Sequence, residues 1–185
     1  MPWIDVIEEE NADAELKAIY DEIKEKRGKL SNIMKIHSLN PATMKDHMDM
    51  YMTIMFGKSG LSREEREMIG VVVSAANCCD YCINHHAMAL DFYWRHEERL
   101  KAFIRDPFSI DLPARGKYIV EYAHDLTVSP SVVGKELVDM LKDAGLSDKD
   151  ILSLNLTVSY FNYVNRIVIG LDVEFSEEEM RGYKY

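Results

Sequence analysis

Residues 61–90, LSREEREMIGVVVSAANCCDYCINHHAMAL, limit what this chain can become more than any other stretch. Ser62, with Glu65 three positions on, is the signature of a capped helix start. The run that follows, REEREMIGVVVSAAN, carries Val71, Val72 and Val73 at its centre. Three valines alone suit a buried strand, but the cap and the length of the run favour a helix enclosed on all sides. Asn77 and Cys78 supply a break, and a second helix is expected from about Cys79 to Trp94. An apolar helix that turns straight into another needs neighbours to cover it.

The rest of the chain supplies those neighbours as further helices, so the fold class is all-α in a single domain over residues 1–185. Asn11 is expected to cap AELKAIYDEIKEKR, with Leu16, Ile19, Tyr20 and Ile23 on one stripe and Gly28 as the stop. Ser31 opens a short turn or helix, NIMKIHSL. Pro41 starts PATMKDHMDMYMTIMF, ended by Gly57 and Gly60. Glu97 to Ile104 reads as a shorter helix, and Pro113 precedes ARGKYIVEYAHDL. Ser131 to Lys142 is amphipathic. Ser147 caps the longest helix, ending near Gly170, and the tail SEEEMRGYKY is polar and aromatic. The methionines between Met44 and Met55 are expected to be adaptable core packing.

Composition removes several functions. The net charge of −10 leaves no basic patch to release counterions, so a nucleic-acid partner is not expected. The longest nearly uncharged apolar run, Met68 to Ala76, is far short of the ~20 residues a membrane span requires. The acidic start MPWIDVIEEEN does not resemble a secretory leader, and a cytoplasmic setting is expected. In a reducing compartment three cysteines packed between positions 78 and 82 do not staple a fold. They point to redox chemistry or metal binding.

Cys79, Cys82 and His86 fall on one narrow helix face, at about 0°, −60° and −20° for a helix turning ~100° per residue. His85 lies off that face. Residues four apart touch, so His86 is placed to accept a proton from Cys82. Glu67 would point about 120° away on one continuous helix; a break near Asn77 lets a second, antiparallel helix bring it back. The set suits thiol chemistry. A thiolate attacks, a second thiol resolves, and an acid–base pair moves protons, with Glu67 expected to have a raised pKa beside apolar neighbours. Cys79, Cys82, His86 and Glu67 also number four potential zinc ligands, so a non-catalytic metal-binding helical protein stays open, as does a disulfide oxidoreductase or redox sensor. His37, His47, His96 and His124 are scattered and read as structural.

The spacing E-x11-C-x2-C-x3-H resembles the active-site motif of the alkylhydroperoxidase AhpD-like proteins, within the carboxymuconolactone decarboxylase-like superfamily. The segment FNYVNRIVIGLDVEF is similar to the branch called peroxidase-related enzymes. The resemblance implies an all-α helical bundle and a homo-oligomer, a trimer or hexamer. It also implies a hydroperoxide reductase that needs no cofactor and is recycled by a dithiol or protein reductant. On that pattern Cys82 attacks the peroxide, Cys79 resolves, and His86 with Glu67 relays protons. One departure stands out: the family's histidine before the second cysteine is Tyr81 here, preceded by Asp80. Tyrosine is a poor base at neutral pH, and a carboxylate beside the thiols opposes thiolate formation.

Overall fold

In the computed structural model, which describes residues 1–176 and 179, helices account for all the regular structure among the described residues. They are α1 (Ala14–Arg27), α2 (Asn32–Lys35), α3 (Pro41–Phe56), α4 (Arg63–Ala76), α5 (Asp80–Trp94), α6 (Glu97–Arg105), α7 (Ala114–Val128), α8 (Lys135–Asp143) and α9 (Asp148–Leu171). Two short 3-10 turns, Glu9–Asn11 and Pro130–Val132, precede α1 and α8. The all-α fold class is as expected. Most of the tail expected to be polar and aromatic lies outside the described residues. The chain divides into two compact units, 1–53 with 166–185 and 54–165, whose boundaries fall inside α3 and α9.

The first unit packs Leu16, Tyr20 and Ile23 of α1 against Leu30, Met34, Met44 and Met48. These are the helix stripe and part of the methionine patch that the spacing singled out. Tyr20 keeps its hydroxyl satisfied by donating to the Ile7 carbonyl at 2.6 Å. The α1 cap is Asp13 rather than Asn11: the Asp13 carboxylate accepts from the Leu16 amide at 2.9 Å. Ala12 is extended, so the chain cannot turn into the helix until one residue later, and Asn11 closes the preceding 3-10 turn instead. Gly28 ends α1 at φ 83°, a left-handed conformation that glycine adopts without steric cost.

The second unit is built around α4. Every residue from Arg66 to Ser74 is buried, and α5, α6 and α7 all pack against it. That is why its sequence is apolar on every side rather than along one stripe. Ser62 and Glu65 form the full reciprocal capping box that starts it. Ile69, Val71, Val73, Leu90, Phe103, Ile119, Ala123, Leu141, Leu154 and Val158 are fully or almost fully enclosed in this unit. The amphipathic 131–142 stretch is split: Gly134 is extended at the start of α8, which runs only from Lys135.

Candidate active site

The turn between α4 and α5 makes the site. Asn77 caps α4, Cys78 follows in a left-handed conformation at φ 56°, and the Cys79 amide donates back to the Ser74 carbonyl at 2.9 Å. A non-glycine residue at that φ is uncommon and stores a little strain. The reversal lays α5 back along α4, which is the break the sequence required if Glu67 was to meet the motif helix. Cys79 occupies the N-cap of α5 and Cys82 its first turn.

Both sulfurs are buried, Cys79 at 1% and Cys82 at 3% exposure, and they lie 2.8 Å apart as free thiols. At that separation they share a proton. The hydrogen bond from Cys82 draws the Cys79 thiol below its ordinary range against the cost of burial. The same bond, then burial, pushes Cys82 far above it, while a side-chain hydrogen bond from Asn165 pulls it back. Asp80, exposed, raises Cys79 more weakly than either of these acts on it. Cys78 is exposed and stands apart from the pair.

One turn further along α5, the His86 Nδ1 meets Glu67 Oε2 at 2.7 Å. Phe161 stands edge-on to the imidazole at 4.4 Å. Gly70 gives the ring its place: a Cβ there would sit 2.6 Å from the His86 Cγ. Glu67 is 1% exposed, and Arg63 grips its second oxygen, Nε to Oε1 at 2.7 Å. Burial alone would raise this carboxyl. The hydrogen bond and charge of His86, with the Arg63 guanidinium, outweigh it and hold Glu67 below the ordinary carboxylate range. The expected raised pKa is therefore corrected: two cationic or donating partners, not apolar neighbours, set the state of this group. An ionised Glu67 accepts a hydrogen bond from the His86 Nδ1–H, leaving Nε2 as the nitrogen that can take or give a proton.

The four candidates thus fall into two pairs. Among the described residues, His86 hydrogen-bonds to Glu67 and to neither cysteine, so helix spacing overstated its contact with Cys82. His85 turns away as expected, stacking on Tyr81 at 4.3 Å. Arg63 was missed, although its i,i+4 spacing from Glu67 was visible. Asn165 was missed too, and no local pattern announces it. Among the described residues, no group of three or more His, Cys, Asp or Glu side chains is arranged to hold a metal ion. Among them also, no helix is long and apolar enough to cross a membrane.

Residues 41–92 match the model of the carboxymuconolactone decarboxylase family. An uncharacterized peroxidase-related protein from Silicibacter sp. TM1040 superimposes with a TM-score of 0.85 at 25% identity, over 99% of this chain and 96% of that one. The alkylhydroperoxidase AhpD core structure from Ralstonia eutropha JMP134, an uncharacterized peroxidase-related protein, gives 0.86 at 22% identity, over 97% and 94%. The debrominase Bmp8 in complex with 2,3,4-tribromopyrrole gives 0.74 at 17% identity, over 90% and 88%. No curated protein sequence matches the chain. The fold is that of the AhpD-like all-helical proteins.

Proposed function

We propose that the protein is a cysteine-based hydroperoxide reductase that cycles through a Cys79–Cys82 disulfide. The observation that carries this is the buried pair of sulfurs 2.8 Å apart at the start of α5, with His86 further along the same helix hydrogen-bonded to Glu67 of α4. At rest the shifts favour the negative charge on Cys79; when the shared proton passes to Cys79, the Cys82 thiolate attacks the terminal peroxide oxygen. The O–O bond breaks, Cys82 becomes a sulfenic acid, and the alkoxide leaves and is protonated to the alcohol. The Cys79 thiol then displaces hydroxide from that sulfur, forming the disulfide and water. In sum, one hydroperoxide and two thiols give one alcohol, one water and one disulfide. His86 Nε2 moves the proton at each stage, directly to the substrate oxygens or through one water, while Glu67 and Arg63 hold the ring.

A dithiol, small or borne by a protein, restores the thiols, and the cytoplasm supplies one. Near-complete burial of both sulfurs favours a small hydroperoxide over a protein disulfide as the first partner. Leu152, Leu156 and Tyr163, exposed along one face of α9, offer an apolar surface for the trimer or hexamer that the family resemblance implies.

The test is intact mass and free-thiol count after one equivalent of an organic hydroperoxide, in Cys78→Ser, Cys79→Ser and Cys82→Ser proteins. Loss of two thiols in Cys78→Ser, a trappable sulfenic acid in Cys79→Ser and none in Cys82→Ser is the expected pattern. A sulfenic acid only in Cys82→Ser reverses the two roles. Thiols unmoved by peroxide but oxidised by 2,3,4-tribromopyrrole, with release of bromide and the debrominated pyrrole, replace peroxide reduction with dehalogenation.

A further inference from the structure

A run of amides joining α4 to α9 has no part in the motif. The Asn77 amide nitrogen donates to the Val73 carbonyl at 3.0 Å. A carbonyl only accepts, so this contact fixes which end of the Asn77 side chain faces inward. The same nitrogen reaches Asn162 Oδ1 at 3.0 Å and Asn165 Oδ1 at 3.1 Å. Asn162 is oriented in the same manner, because its nitrogen donates to the Val158 carbonyl at 3.1 Å and to the Thr127 hydroxyl at 3.0 Å. Asn165 is fully enclosed, and its oxygen is committed to Asn77. Its nitrogen must therefore face the other way. There it meets the Ser74 hydroxyl at 3.3 Å, beside the turn in which the Cys79 amide bonds the Ser74 carbonyl, and it draws the pKa of the Cys82 thiol down.

We propose that Asn165 is the fixed hydrogen-bond donor to the Cys82 sulfur, oriented through Asn77 and Asn162, and that it allows this buried sulfur to carry negative charge. Burial disfavours a thiolate at Cys82, and neither His86 nor a cation touches it among the described residues. An N–H aimed at the sulfur by a prearranged network offsets that cost without reorganisation, because it is already in place before ionisation. An amide whose oxygen was free to rotate inward would present the wrong end; the backbone carbonyls of α4 and α9 prevent this. The assignment deepens the redox role proposed for the Cys79–Cys82 pair, yet it concerns ionisation only and needs no peroxide.

The experiment is the pH profile of iodoacetamide modification at Cys82, read by peptide mass in reduced Cys78→Ser protein, with Asn165→Ala and Asn165→Asp added. Loss of the charge-assisted bond should slow modification at neutral pH by about tenfold or more in Asn165→Ala, with the rate recovered at high pH. Asn165→Asp keeps the shape and the acceptor for Asn77 but places a carboxylate oxygen on the sulfur, and should slow it further. A profile unchanged in either folded variant overturns the proposal. If both variants fail to fold, the wild-type Asn165 side-chain amide decides in nuclear magnetic resonance spectra. Its protons must shift with the dithiol titration, and an amide silent to that titration overturns the proposal. A wild type inert to hydroperoxide but with the shifted Asn165→Ala profile discards peroxide reduction and keeps the Asn165 assignment; the opposite result does the reverse.

Discussion

His47 in the first unit and His86 in the second are both wrapped by helices, but one leans on another histidine and the other on a carboxylate. His47 Nδ1 lies 3.3 Å from His37 Nε2, and burial followed by repulsion from His37 drives its pKa down to about 3. His37 is itself shifted down by burial. One N–H lies between the two ring nitrogens, and burial disfavours charge on both rings. His86 meets an ionised Glu67 that Arg63 also holds. Burial disfavours charge on the first ring, whereas the second is held by a carboxylate that its own partners keep ionised. The partner, not the burial, decides whether the imidazole is part of the packing or part of a proton relay.

The strongest way to break this contrast is Glu67→Gln. It removes the negative member of a buried cluster and leaves the Arg63 and His86 donors facing a neutral amide. Such truncations cost about 3 kcal/mol or more, because the remaining charge stays desolvated. His47→Phe removes one ring of a neutral pair and should cost about 1 kcal/mol, chiefly the lost hydrogen bond to His37. Urea unfolding of the two variants measures both. Equal losses would mean that Glu67 contributes packing rather than charge.

Gly70→Ala sharpens the same point at His86. The added methyl would meet ring atoms at 2.6 to 3.0 Å, so the imidazole must swing away or α4 and α5 must part. Overpacking of this kind costs about 2 kcal/mol. The shifted ring should also lose the His86 Nδ1–H signal that the bond to Glu67 protects from exchange in proton spectra. A variant with full stability and that signal intact would place the ring elsewhere.

Acid should separate the histidine pairs next. A histidine whose folded pKa lies below its unfolded value binds fewer protons when folded. Its contribution is complete above the unfolded pKa of about 6.5 and is lost as pH falls toward the folded value. His47 therefore makes stability decline from about pH 6.5 downward, with a slope approaching about 1.4 kcal/mol per pH unit for one proton. Glu67 has the same sign, since its folded pKa is also depressed, but its loss begins only near the ordinary carboxylate range. Urea titrations between about pH 6.5 and pH 5 should show the decline in wild type and a flatter line in His47→Phe. An unchanged slope would assign the acid sensitivity to groups other than this pair.

Local rules of helix chemistry made most of this molecule legible. Ser62 with Glu65, Gly28 and Pro41 mark ends that short-range hydrogen bonding and backbone sterics determine, and the helices begin and stop there. The face shared by Cys79 and Cys82 was legible for the same reason. What helix geometry could not supply was the direction of a side chain among tertiary neighbours. His86 is four residues from Cys82 and was expected to bond it, yet its ring follows Glu67 across to α4. The ionised state of Glu67 was hidden because it depends on Arg63 and His86 closing on it from two helices. Asn165 lies 83 positions from Cys82 in the chain, so only the packing of α9 reveals it. Asn11 was a better-looking cap than Asp13 until the extended Ala12 delayed the turn by one residue.

The smallest effect concerns the two helix starts. Ser62 accepts from the Glu65 amide at 3.1 Å, and Glu65 returns the bond to the Ser62 amide at 2.8 Å. Asp13 makes a single bond of the first kind. Ser62→Ala and Asp13→Ala should each lower stability by about 1 kcal/mol, and the two remain distinguishable by where the loss is felt. Arg63, the first residue of α4, carries one half of the grip on Glu67, so loosening this turn releases the carboxylate. Hydrogen exchange should quicken through the first turns of α4 in Ser62→Ala, and iodoacetamide modification of the dithiol should change with it. Asp13→Ala should quicken exchange in the first turn of α1 and leave the dithiol profile as it was. If Ser62→Ala left that profile untouched as well, Glu67 would be held by His86 alone and the Arg63 contact would be dispensable to the site.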